Sequence, residues 1–95
     1  MKINPESDGR FTLSARAPNW KVAGEMVATL RDSPPPGFKM VIGQIFPRTR
    51  DDGSIASGAR CNYEVTYEPK SRGVVPDIGE LWDFFIDAGV ERPES

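Results

Sequence analysis

Residues 38–68 read FKMVIGQIFPRTRDDGSIASGARCNYEVTYE, and the way this stretch pairs with itself decides the fold. Two runs rich in β-branched and aromatic residues, 38–46 and 59–67, flank a turn signal at Asp52 and Gly53. A two-residue turn there sets Phe38 against Tyr67, Met40 against Val65, Ile42 against Tyr63, Gln44 against Cys61 and Phe46 against Ala59. That face is almost wholly apolar. The other face takes Lys39, Val41, Gly43 and Ile45 beside Thr66, Glu64, Asn62 and Arg60. Strand side chains alternate, so a slip of one residue would exchange the two faces, and the apolar set argues against it. Towards the tip, Arg48, Thr49, Arg50, Ile55, Ala56 and Ser57 are too small or too polar for a core, so the hairpin is expected to project as a mobile arm.

Outward from the hairpin, residues 9–15 alternate Phe11, Leu13 and Ala15 with Arg10, Thr12 and Ser14, the pattern of a half-buried strand. Trp20, Ala23, Val27 and Leu30 then recur at helical spacing, which predicts an amphipathic helix over 19–32. Ser33, Pro34, Pro35, Pro36 and Gly37 stop it, because proline lacks the amide donor and biases its predecessor away from helix. A second helix is expected over 77–89, opened by the capping box of Asp77 and Glu80 and closed by Gly89 with Val90. The chain therefore reads as one α+β domain, 1–95, in two layers and in the order β-α-β-β-α. A three-stranded sheet built on the long 38–68 hairpin would carry both helices on one face. Val41 and Ile45 suggest that 38–46 is the central strand, with 9–15 beside it after a right-handed helical crossover. The alternative is an αββα core with the first strand detached. Residues 1–8 are expected to be a loose leader and 91–95 a loose tail.

Composition narrows the chemistry. With 38% hydrophobic and 27% charged residues, the 95-residue chain has the balance of a folded, water-soluble domain. It has no apolar run long enough for a membrane span, no signal-peptide pattern, and a single cysteine, Cys61, so a cytoplasmic setting is expected. Cys61 sits at an apolar position of its strand and reads as a small buried hydrophobe. There is no histidine, which removes the commonest general base and, with one cysteine, any structural zinc site. Asp51, Asp52 and Gly53 lack the spacing of a calcium loop and are better explained as a turn. The glycines lack the Lys and Ser or Thr of a phosphate loop. Tyr63 and Tyr67 lie on one strand face, Glu64 and Glu68 on the other, so they do not converge as an acid and base. No cofactor and no metal is expected, and an enzyme using carboxylate or tyrosine chemistry is the least favoured class.

Charge is unevenly placed: residues 1–72 carry 11 basic and 8 acidic side chains, residues 73–95 carry 1 and 6. On the second helix, Ile78, Leu81, Trp82 and Phe85 form one stripe while Glu80, Asp83 and Asp87 cluster opposite, with Phe84 on a flank. A solvated face explains the acids. As a contact, Glu80, Asp83, Phe84 and Asp87 would form an anchor for another protein. The second candidate is basic, with Arg48 and Arg50 on the arm, Arg60 further down, and Lys70 and Arg72 beyond the other end of the hairpin; such a ribbon could enter a nucleic-acid groove. Asp51 and Asp52 at the tip oppose that. The leading expectation is a small non-catalytic binding protein, an adaptor, inhibitor or subunit of a larger protein assembly. Small acidic proteins of phages and other mobile elements work in this way, an analogy at the level of class. A homodimer formed through the hairpin edge or Phe84 is a further reading.

Overall fold

The alternation that begins at Phe11 runs on through Arg16 to Ala17, and in the computed structural model this whole stretch is a strand. Residues 1–6 and 8–92 are described. The elements are β1 (Lys2–Pro5), β2 (Phe11–Ala17), α1 (Trp20–Asp32), β3 (Phe38–Phe46), β4 (Cys61–Pro69) and α2 (Ile78–Asp87). They form an α+β fold of two helices and a four-stranded sheet, with every neighbouring pair antiparallel and the order β1-β2-β4-β3.

Both helices start and stop where local chemistry dictates. The Asn19 side chain accepts a hydrogen bond from the Val22 amide at 2.9 Å, satisfying a donor in the first turn of α1. At the other end the Ser33 amide donates to the Thr29 carbonyl, and the prolines follow. In α2 the Asp77 side chain accepts from the Glu80 amide at 3.1 Å. The Val90 amide reaches the Phe85 carbonyl and the Gly89 amide the Ile86 carbonyl, which is a Schellman motif. Its left-handed residue is Gly89, with φ +99°, and Val90 is buried as the accompanying apolar contact.

One cluster unites the layers. Phe11, Leu13, Val65 and Tyr67 from the sheet meet Ala23 and Leu30 of α1 and Leu81 and Phe85 of α2. The Phe11 ring stacks on Tyr67 at 5.2 Å and lies 6.2 Å from Phe85. The Tyr67 hydroxyl donates to the Leu30 carbonyl at 3.1 Å, supplying a partner to one of the carbonyls that the end of α1 leaves orphaned. Burying each such large side chain contributes about 1.5–3 kcal/mol. The alternate residues of β2 and β4 (Thr12, Ser14 and Arg16; Asn62, Glu64 and Thr66) form a second sheet face that neither helix covers.

Four expectations are corrected. The sheet has four strands, because residues 2–5 pair with β2 and are not part of a loose leader. The strand β2 lies beside β4, so β3 is an edge strand and not the central one. Consequently β2 and β3 run parallel with β4 between them, and α1 bridges that gap. Finally, the hairpin register differs from the one drawn from a two-residue turn. Of the expected loose tail, Glu91 pairs with Arg60 at 2.6 Å, and residues 93–95 lie outside the described residues.

The register has a traceable cause. Gly53, at φ +87°, donates to the Arg50 carbonyl, and the Arg50 amide donates to Ser54, so the tip is a three-residue loop. A second turn, closed by the Ala59 amide on the Ala56 carbonyl, takes further residues out of the ladder on the returning side. By the time pairing resumes, Phe46 faces Asn62, Ile45 faces Tyr63 and Gly43 faces Val65. An odd offset from the expected register has moved Ile42, Gln44 and Phe46 to the uncovered face. A β-bulge between Met40 and Ile42 then restores the expected facing, with Met40 opposite Tyr67 and Phe38 buried.

Candidate binding surfaces

The bulge divides β3 into a packed inner part and an open outer part. Just outside the bulge, α1 comes so close that a Cβ on Gly43 would sit 2.7 Å from the Val27 side chain, so any larger residue there must displace Val27. Beyond it, Ile42 is 51% exposed and Phe46 45%, and Ile55 on the arm is 45% exposed. Val41, the bulge residue, is also exposed. These four account for most of the large hydrophobic side chains left exposed among the described residues. As β3 pairs only with β4, its outer edge also presents unpaired backbone groups.

The arm itself is real: the described chain extends 48 × 25 × 23 Å, with one isolated bridge, Thr49 to Ile55, beyond the body of the hairpin. Asp52 is spent on the tip. Its carboxylate accepts from the Ser54 hydroxyl at 2.6 Å and the Ser54 amide at 2.9 Å, and these bonds, the hydroxyl's first, lower its pKa. No group of three His, Cys, Asp or Glu side chains among the described residues could hold a metal ion. No helix among them is long and apolar enough to cross a membrane.

The acidic helix is arranged as a stripe with a half-covered flank. Glu80, Asp83 and Asp87 are exposed and make no ion pair among the described residues. Phe84 is half-buried and meets Phe85 edge-on at 5.5 Å, while Leu81 and Phe85 are buried. Ile78, expected in the inward stripe, is 40% exposed. Since Phe85 packs on Phe11 and Tyr67 while α1 covers β3, the acids and the open part of β3 occupy different flanks.

The five basic candidates do not form one surface. Lys70 follows the inner end of the hairpin, its amide donating to the Gly37 carbonyl, and Arg72 lies two residues beyond. Arg50 belongs to the tip loop. Arg48 and Arg60 are brought together at the base of the arm, where they line a cleft of about 240 Å³ with Arg16, Phe46 and Asn62. Of these, Arg16, Phe46 and Asn62 were not candidates from the sequence, which set Phe46 on the apolar face of the hairpin. The alternation of 9–15, carried one step further, would have put Arg16 on the uncovered face, and the arm's turns concealed the meeting of Phe46 with Asn62. Arg16, Arg60 and Asn62 also line a larger cleft of about 480 Å³, together with Lys2, Arg92 and Tyr63.

Tyr63 and Tyr67 are both buried on the helix-covered face, opposite in direction to Glu64 and Glu68. Burial, with the nearby Glu91 charge second, raises the Tyr63 pKa to about 12; burial likewise raises that of Tyr67. Both remain protonated near neutral pH and can donate but not act as bases. On the open face, the Thr12 and Thr66 hydroxyls bond at 3.0 Å, and Glu68 accepts from Lys39 and Arg10. Comparison with known protein families, with curated proteins and with solved structures finds no match.

Proposed function

We propose that this is a small non-catalytic binding protein, an adaptor, inhibitor or assembly subunit, whose main contact is the outer half of β3 with the hairpin arm. The carrying observation is that Val41, Ile42 and Phe46 are exposed on β3, an unpaired sheet edge, with Ile55 exposed on the arm beyond it. Edge strands are ordinarily blunted, and β1 is: it is four residues long and holds Pro5. The outer part of β3 has no charged residue between Lys39 and Arg48. An extended segment of a partner protein could add to this edge through main-chain hydrogen bonds, its alternate side chains resting on Ile42 and Phe46. The stripe of Glu80, Asp83 and Asp87 would serve as a separate, weaker contact for basic side chains of the same or another protein.

The test is quantitative affinity enrichment from the native host, comparing the natural sequence with Ile42→Lys and with Asp83→Lys/Asp87→Lys. Both variants change exposed positions, so unchanged thermal unfolding is expected and is checked first. The expected result is a partner whose recovery drops about tenfold or more with Ile42→Lys, corresponding to an apolar contact of about 1.4 kcal/mol or more, and less with the double variant. Recovery indifferent to Ile42→Lys would remove the β3 edge as the contact.

A further inference from the structure

At its arm end the uncovered sheet face finishes in a row of three cross-strand neighbours, one from each of β2, β4 and β3. Arg16 of β2 pairs with Asn62 of β4, and Asn62 pairs with Phe46 of β3. Arg48 and Arg60 close the row into the smaller cleft, so a guanidinium-rich pocket has an aromatic ring and a carboxamide on its floor and no carboxylate in its lining. Arg16 and Arg48 make no ion pair among the described residues, whereas Arg60 is held by Glu91 at 2.6 Å. Arginines left uncompensated beside one another repel, and an anion between them relieves that repulsion.

The neighbouring larger cleft points the same way. Lys2 and Arg92 join Arg16 and Arg60 there, outnumbering Glu64 and Glu91. Tyr63, 1% exposed, also lines it, and its hydroxyl is the buried side-chain polar atom that lacks a hydrogen-bond partner among the described residues.

We propose that this arm-base cleft binds single-stranded nucleic acid, with a base stacked on Phe46, its edge hydrogen-bonded by Asn62, and the flanking phosphates held by Arg16 and Arg48. Phosphate alone would use the arginines but not the exposed ring. A base within a duplex has both faces covered by its neighbours, so only an unpaired base can use Phe46. Asn62 offers both a donor and an acceptor, enough for a base edge. The strand would continue across the shared wall of Arg16, Arg60 and Asn62 into the larger cleft, where Glu64 and Glu91 limit how closely phosphates approach. This site shares Phe46 with the partner-protein reading but uses neither Ile42 nor the α2 acids, so Ile42→Lys and Arg16→Ala/Arg48→Ala tell the two apart.

Fluorescence anisotropy with labelled oligothymidylate and oligouridylate of about twelve nucleotides, within the span that single-strand grooves cover, tests it at low and raised salt. The same titrations are run with a duplex of equal length and with inorganic polyphosphate. Single strands should bind at low salt and weaken as salt rises. Phe46→Ala, and separately Arg16→Ala/Arg48→Ala, should each weaken binding about tenfold or more with an unchanged melting temperature, as expected for loss of one stacked base or two phosphate contacts. Arg50→Ala and Lys70→Ala, away from the cleft, should leave it unchanged. Flat titrations at low salt, equal affinity for duplex or polyphosphate, or indifference to Phe46→Ala would each overturn the proposal.

Discussion

The two parts of β3 belong to one strand and have opposite fates. Inside the bulge, Phe38 is buried edge-on against Phe11 at 5.0 Å, and Met40 packs on the same core. Outside it, Ile42 and Phe46 stand on the uncovered face although they are as apolar as their inner counterparts. Hydrophobicity therefore does not decide which residue is buried here; the count of residues between pairing partners does. A bulge and two turns change the parity, and with it they turn two large side chains from core to surface.

The largest break of that contrast is expected in the core. Phe85→Ala should lower unfolding stability by about 3–5 kcal/mol, read from the urea midpoint, whereas Phe46→Ala should stay within about 0.5 kcal/mol. Equal losses would mean that Phe46 is packed like a core residue. At the junction of the two parts, Gly43→Ala should cost about 1–3 kcal/mol, because the new methyl meets Val27, while Gly58→Ala on the arm meets nothing within 4 Å and should be neutral or slightly stabilising. Thermal unfolding of the two variants side by side checks this.

A smaller effect separates the two tyrosines. Tyr67→Phe removes the partner of the buried Leu30 carbonyl and should cost about 1–2 kcal/mol; Tyr63→Phe removes a hydroxyl with no partner and should be close to neutral or stabilising. Both phenols have pKa values raised above the ordinary 10.0, so the folded state favours the protonated form. The stability linked to them is complete below about pH 10 and is lost as pH rises through the folded value of Tyr63, about 12. Alkaline titration followed by tyrosine absorbance should show two phenols ionising late, with unfolding in that window; ionisation of both near pH 10 without unfolding would contradict their burial.

The helices were legible almost to the residue because their ends are written in local chemistry: Asn19 and Asp77 as caps, the proline run after α1, and Gly89 after α2. The packed side of β2 and β4 was legible from alternation alone. Residues 2–5 were not, since Ile3 is the single large apolar side chain in a segment that also contains Pro5, and only the vacant flank of β2 recruits it. The register was hidden for a different reason. The three-residue tip loop, the Ala56 to Ala59 turn and the Val41 bulge each shift the count without leaving a compositional mark. Arg16, Asn62 and Phe46 could not be recognised as neighbours until that count was known, so the cleft they form was out of reach of pattern reading, whereas the exposed acids of α2 were visible from helical periodicity.

Thiol labelling at adjacent positions of β3 tests the parity change most directly. Ile42→Cys and Ile45→Cys are each placed in the chain, whose own Cys61 is buried and serves as a slow internal reference, and the rate of maleimide addition is followed under native conditions. Ile42→Cys should label rapidly and Ile45→Cys much more slowly, because Ile45 faces Tyr63 beneath the helices. The reverse order, fast at Ile45→Cys and protected at Ile42→Cys, would return Ile42 and Phe46 to the core and contradict the surface on which both proposed contacts stand.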